Sequence, residues 1–189
     1  VMLSIALNGS SGRMGGHIQA VIASQSDISL VAALSKESWE PAGITKSDVI
    51  IDFSIPSATL LVMSEMAGHP KPMVIGTTGF SESEHTAIRL LAKKVPIVLS
   101  SNMSVGVNVF WKMLELGAKA LGTQSQIMIE ETHHIHKIDH PSGTAKTMIA
   151  LLTQASGLTM NDVVETLETP SPGNHRVSVI SHRNGEVIG

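Results

Sequence analysis

The segment EETHHIHKIDHPSGTAKTM, residues 130–148, sets His133, His134, His136 and His140 beside Lys137, Glu131, Asp139 and a Pro-Ser-Gly-Thr turn. Such a set can bind a metal, move protons or simply decorate a surface. Metal sites on a helix favour histidines at i and i+4, a spacing that His133, His134 and His136 lack. On a strand, His134 and His136 share a face while His133 points away. Glu131 and Asp139 keep ligation open, as does plain polar decoration. Imidazoles at the end of a strand, beside an ammonium and an anion-binding turn, favour acid–base chemistry, and no metal is expected. Ser142 is placed to cap a helix and leaves the N–H groups of Gly143 and Thr144 for a carboxylate. The segment therefore reads as a site for an anionic substrate that takes up a proton.

A second set lies at the start. IALNGSSGRMGGHI carries Gly9, Gly12, Gly15 and Gly16 between an apolar run and a helical pattern. Glycines there let a pyrophosphate approach the backbone at a helix N-terminus, although the spacing is G-x-x-G-x-x-G and not the common G-x-G-x-x-G. In AALSKES, Ser35 and Lys36 stand where an acid would hold the ribose of NAD, with Glu37 one step later. A hydroxyl and a cation suit a 2′-phosphate, so NADPH is expected with NADH possible; a solvated lysine is the plain alternative. Two further turns, VIGTTGF (Gly76, Thr77, Thr78) and VLSSNMS (Ser100, Ser101, Asn102, Met103), offer small and hydroxylic residues beside a nicotinamide.

These residues need a frame. Short apolar runs at residues 3–8, 30–34, 49–53, 73–76 and 97–100 alternate with helical patterns at 13–24, 56–67, 82–94 and 105–121. Alternating strands and helices predict an α/β fold, a parallel sheet with right-handed crossovers. The 14 residues from Ser35 to Asp48 are tight for a crossover and show no good helical face. Beyond Leu121 the pattern changes to a strand at 127–132, a helix at 143–156, and a hairpin of 177–182 with 186–188 around Asn184-Gly185. That predicts a second, α+β domain from about Ser104, and an end just after a strand leads us to expect further chain.

Composition narrows the classes. Of 189 residues, 42% are hydrophobic and 15% charged, which is globular. A net charge of -3 with 3% aromatics gives no basic field and no stacking platform, so no nucleic acid is expected. Cysteine is absent, which removes disulfides and thiolate chemistry. No apolar run is long enough for a membrane span, and the start has no signal-peptide pattern; a cytoplasmic setting is expected.

NGSSGRMG, IIDFSIPS, VIGTTGF, SSNMSVGVN and EETHHIHKIDHPSGTA together resemble the 4-hydroxy-tetrahydrodipicolinate (dihydrodipicolinate) reductases of lysine biosynthesis. The histidine signature is the specific part, and the matches run through nearly the whole chain. The resemblance implies a Rossmann-like cofactor domain over residues 1–103 and an α+β substrate and tetramerisation domain over 104–189, the latter lacking its C-terminal part. It implies hydride transfer from NAD(P)H to a cyclic imine dicarboxylate, with His133 as acid–base histidine and Lys137 as proton donor. His134, Ser142, Gly143 and Thr144 would bind substrate. Gly9, Ser10, Ser11, Gly12, Arg13, Met14, Lys36, Phe53, Gly76, Thr77, Thr78, Ser100, Ser101, Asn102 and Met103 would bind cofactor. Ser35 and His140 depart from the family pattern. Another NADPH-dependent cyclic imine reductase, a non-catalytic NADPH-binding protein, and more distantly a metal-dependent hydrolase are the competing readings.

Overall fold

The computed structural model describes residues 2–137, 140–166 and 176–187. It divides into two compact units, Val1–Ser101 and Asn102–Gly189.

The first unit runs β1 (Leu3–Asn8), α1 (Arg13–Ala23), β2 (Ile28–Leu34), α2 (Ala42–Lys46), β3 (Val49–Asp52), α3 (Pro56–Glu65), β4 (Met73–Ile75), α4 (Glu82–Leu91) and β5 (Ile97–Leu99). The strands pair in parallel in the order β2-β1-β3-β4-β5. The chain steps from β1 to β2 on one side and returns to β3 on the other, so the carboxyl ends of β1 and β3 form the switch point where such sheets take ligands. Leu34, Ile50, Met73 and Ile75 from the strands meet Ile44, Val62, Met66 and Ile88 from the helices in one buried core. Each large aliphatic side chain contributes about 2 kcal/mol by leaving water. Helix starts follow local chemistry: Pro56 opens α3, where its missing N–H costs nothing, and Ser81 with Glu84 forms a capping box on α4.

The tight interval before Asp48 holds the short α2. Its five residues are too few to show a helical stripe, yet they bury Ile44 at 1% exposure. Here burial of one aliphatic side chain, and not amphipathic patterning, selects the helix.

The second unit runs α5 (Val105–Leu121), β6 (Ile127–His133), α6 (Gly143–Ser156), β7 (Val163–Thr166) and β8 (Val177–Arg183). β8 lies centrally, parallel to both β6 and β7. Ala145, Ile149 and Leu152 of α6 recur at helical spacing and pack with Ala118 of α5 and with Ile129, Val177 and Val179 of the strands. On α5, Trp111 and Ala118 turn inward, whereas Phe110 and Leu121 of the same apolar stripe stay 50% and 64% exposed. Ser104 caps α5, accepting the Val107 N–H.

The strand β7 escaped the sequence reading because VVET is too short to show alternation. The expected hairpin differs too. Asn184-Gly185 does turn, with Gly185 at φ +49°, but Glu186 and Val187 form no strand. Asn184 N–H donates to the His133 carbonyl at 2.9 Å, and Ile135 N–H to the Gly185 carbonyl at 3.1 Å. The turn is used to brace the histidine segment. Ile188 of that expectation lies outside the described residues. Among the described residues no helix is long and apolar enough to cross a membrane.

Candidate active site

At the end of β1 the chain reverses through Gly9, whose φ of +84° favours glycine and whose Cβ would run into the Phe53 carbonyl. Gly9 N–H, Ser10 N–H and the Ser10 hydroxyl all donate to the Leu34 carbonyl at 3.0 Å, which ties the turn to β2. No side chain caps α1 at Gly12, so the N–H groups of its first turn are available to a phosphate. Ser11 is exposed at the tip of this turn.

A cleft of about 390 Å3 opens at the switch point, lined by Arg13, Met14, Phe53, Ser54, Gly76, Thr77 and Thr78. Sequence reasoning named six of these and missed Ser54, although the quoted DFS run contains it. Gly76 is required by packing, since a Cβ there would enter the Phe53 ring. The Thr77 hydroxyl is committed, donating to Asp52 at 2.7 Å and accepting Ser54 N–H at 2.8 Å. Thr77 therefore offers a ligand its backbone, where its side chain was expected.

Lys36 lies exposed beyond β2. Beside it the Ser35 hydroxyl accepts the N–H groups of Glu37 and Ser38 at 3.2 and 3.1 Å and donates to Glu37 Oε2 at 3.0 Å. A carboxylate is thus folded back to the tip of β2, where the sequence had shown a hydroxyl and a cation. Ser100 and Ser101 follow β5, with Ser100 N–H donating to the Ile75 carbonyl at 3.1 Å. Asn102 and Met103 fall in the second unit, where Asn102 Oδ1 accepts the Ser104 N–H at 2.8 Å. Ser100, Ser101, Asn102 and Met103 do not line the cleft.

In the second unit, β6 delivers Glu131 and His133 to its carboxyl end. Glu131 accepts Ser142 N–H at 2.9 and 3.2 Å and the Ser181 hydroxyl at 2.8 Å, and its Oε2 lies 3.4 Å from His133 Nε2. Burial pushes the Glu131 carboxyl up. Hydrogen bonds from the Ser142 hydroxyl and N–H and from Ser181, with the charge of His133, outweigh it and hold the group below the usual carboxylate range. The sequence reading had weighed Glu131 only as a metal ligand. Its link to the helix cap spans 11 residues and gave no local signal.

Ser142 caps α6, its hydroxyl accepting Ala145 N–H at 3.2 Å, and the first helical bond is Lys146 N–H to the Ser142 carbonyl at 2.8 Å. Gly143 and Thr144 precede that bond, so their N–H groups lie outside the helix's own hydrogen-bond ladder. Lys137 N–H donates to the His134 carbonyl, and Arg183 Nε to the Lys137 carbonyl at 3.0 Å, fixing the turn that carries both side chains. The His134 and His136 rings stand 6.2 Å apart; His136 lies 3.7 Å from Glu186, and His140 is exposed. Among the described residues no group of three histidines or acids could hold a metal; Asp139 lies outside them. The second unit also has an apolar groove of about 450 Å3 between α5, α6 and β6, whose lining includes no histidine or lysine.

A parallel sheet whose ligand cleft opens at its switch point is a framework of nucleotide-dependent oxidoreductases, and that is the class of the first unit. Residues 3–103 match the family model for dihydrodipicolinate reductase, N-terminus, and residues 106–189 that for dihydrodipicolinate reductase, C-terminus. The chain belongs to the dihydrodipicolinate reductase family.

Among its relatives, 4-hydroxy-tetrahydrodipicolinate reductase of Akkermansia muciniphila is 38% identical, with 100% of this chain and 78% of the relative covered. The protein of that name from Nitrosomonas eutropha is 37% identical over 100% of this chain and 80% of its own. The dipicolinate-bound dihydrodipicolinate reductase of Paenisporosarcina sp. TG-14 shares the fold at a TM-score of 0.70 and 20% identity, covering 100% of this chain and 81% of that one. The chain is thus an NAD(P)H-dependent oxidoreductase that reduces 4-hydroxy-tetrahydrodipicolinate in the diaminopimelate and lysine pathway, in a family that uses NADPH or NADH.

Proposed function

We propose that in this chain His133 and Lys137 handle the proton of that reduction, while Gly143 and Thr144, with Ser142 behind them, seat a ring carboxylate and His134 contacts the substrate. The observation that carries this reading is the position of Glu131, which joins the strand end bearing His133 to the cap of α6. One carboxylate thereby sets the acid–base residue against the carboxylate seat.

When bound, NAD(P)H would supply a hydride to the unsaturated ring that is left once the substrate's 4-hydroxyl has departed as water. The chain's own task is electrostatic and protic. Its N–H seat fixes one carboxylate, the Lys137 ammonium attracts the dicarboxylate and gives a proton to the ring nitrogen or the adjacent carbon, and His133 relays protons to that group.

The first unit fits the cofactor. Gly9 shapes the turn, the uncapped start of α1 suits a pyrophosphate, and the cleft of about 390 Å3 is roomy enough for part of a dinucleotide. On this reading residues 1–103 are the cofactor domain and 104–189 the substrate and tetramerisation domain. The cofactor residues are Gly9, Ser10, Ser11, Gly12, Arg13, Met14, Lys36, Phe53, Gly76, Thr77, Thr78, Ser100, Ser101, Asn102 and Met103. NADPH is preferred through Lys36, and NADH is accepted. A cytoplasmic homotetramer completes the proposal; exposed Phe110, Met113, Leu116 and Met128 provide apolar surface suited to assembly.

The test is NADPH oxidation by the purified chain with enzymatically generated 4-hydroxy-tetrahydrodipicolinate. Turnover is expected, and it should vanish in the double variant His133→Ala/Lys137→Ala. A folded chain that binds NADPH without turnover overturns the catalytic reading. Equal kcat/KM with other cyclic imines overturns the substrate assignment.

A further inference from the structure

Asp52 ends β3 with 0% exposure, and its partners are all neutral donors. Asn8 Nδ2 donates to Oδ2 at 2.9 Å. Ser54 N–H, the Ser54 hydroxyl and the Thr77 hydroxyl donate to Oδ1 at 3.1, 2.6 and 2.7 Å. The donors also bond one another: Asn8 Nδ2 reaches the Ser54 hydroxyl at 3.0 Å, and Ser54 N–H reaches Thr77 Oγ1 at 2.8 Å. Asn8 and Thr77 are themselves 2% and 4% exposed.

Burying a carboxylate without a cation is costly, so its retention calls for a reason. Four donors converge on this one group, and an acceptor-only side chain satisfies all of them at once. Those donors come from three strand ends. Asn8 immediately precedes the Gly9 turn, Ser54 follows Phe53, and Thr77 sits in the Gly76–Thr78 turn. Residues of these three turns line the cleft, whereas Asp52 does not.

We infer that Asp52 is a positioning residue for the pyridine nucleotide, its buried carboxylate clamping the ends of β1, β3 and β4 so that three cofactor turns keep one mutual geometry. The inference rests on the assignment of those turns to NAD(P)H.

Its test is the dissociation constant of NADPH, by fluorescence titration of the full chain, beside KM for the dicarboxylate. Asp52→Asn turns an amide toward the Asn8 amide, donor against donor. It is expected to raise Kd for NADPH about tenfold or more with KM for the dicarboxylate unchanged. The exchange Asn8→Asp/Asp52→Asn restores donor against acceptor and should recover most of the affinity. A folded Asp52→Asn protein with unchanged Kd overturns the inference, as does an exchange variant that folds without recovery. If Asp52→Asn does not fold, Asn8→Ala replaces it, at a buried donor that does not line the cleft. That variant removes one donor and keeps the carboxylate, so a several-fold rise in Kd supports the clamp and an unchanged Kd overturns it. Arg13→Ala separates the two levels of the argument. Unchanged affinity there overturns the turn assignment, and the clamp with it. Weakened affinity there, beside unaffected Asp52→Asn and Asn8→Ala, overturns the clamp alone.

Discussion

Ser142 donates its backbone N–H to both carboxylate oxygens of Glu131, at 2.9 and 3.2 Å, so the cap of α6 is held by the residue two places ahead of His133 on β6. Glutamine at 131 keeps one acceptor oxygen and loses the charge that faces His133. Glu131→Gln is expected to lower stability by about 2 kcal/mol, the scale of a charge-assisted bond, and to reduce kcat while leaving NADPH affinity intact. Urea unfolding and steady-state kinetics check this. An unaltered unfolding midpoint would show that the cap does not depend on Glu131.

The same carboxylate gives stability a pH dependence. Its folded pKa lies below the ordinary value of 4.5, so the stabilisation is fully present above about 4.5 and is lost as pH falls through the lowered folded value. Exposed Asp48 and Glu82 and half-buried Glu84 and Glu115 are also lowered and form a background shared by wild type and variant. The difference between wild type and Glu131→Gln should therefore shrink below pH 4.5 in urea midpoints measured from pH 7 to 3. A constant difference refutes the linkage.

His133→Ala and Lys137→Ala should each lower kcat by about 100-fold, within the range of general acid–base catalysis, with Kd for NADPH unchanged. Stopped-flow turnover beside cofactor titration separates the two quantities. Loss of cofactor affinity in either variant counts against the assigned roles.

The tip of β2 carries both signs of charge. Lys36→Ala should weaken NADPH several-fold more than NADH by removing the cation for a 2′-phosphate. Glu37→Ala should do the reverse, because its carboxylate, held by the Ser35 hydroxyl, is the nearby acid that can meet a ribose diol. KM for both cofactors decides; equal effects on the two remove the argument.

Gly76→Ala places a methyl group in the Phe53 ring. The ring must shift into the cleft it lines, so KM for NADPH should rise while KM for the dicarboxylate stays constant, with a stability loss of about 1–3 kcal/mol from overpacking. Thermal unfolding and kinetics measure both effects.

Much of the frame was legible because the signals are local. The runs at 3–8, 105–121 and 143–156 coincide with β1, α5 and α6, where apolar patterning and the Ser104 and Ser142 caps agree. The α2 helix was hidden because its burial depends on one residue, Ile44, meeting a distant sheet. The Asn184-Gly185 turn was read correctly as a turn and wrongly as a hairpin, since its partner is residues 133–135 and not the next residues in line. In the site, motifs pointed to the turns and the histidines. The carboxylates of Asp52 and Glu131 act through partners up to 44 and 50 residues away, and such pairing leaves no spacing to read.

The central place of β8 bears on how the protein is made. Strands β1 and β3 to β5 each find a neighbour soon after synthesis, whereas among the described residues β6 and β7 pair only with β8, which follows both in sequence. Loop closure over 50 residues must precede the first ladder contact between β6 and β8. The second sheet is thus a late, slow event beside the first, and Met128 and Ile129 wait without strand partners on the nascent chain until Ser178 and Val179 emerge.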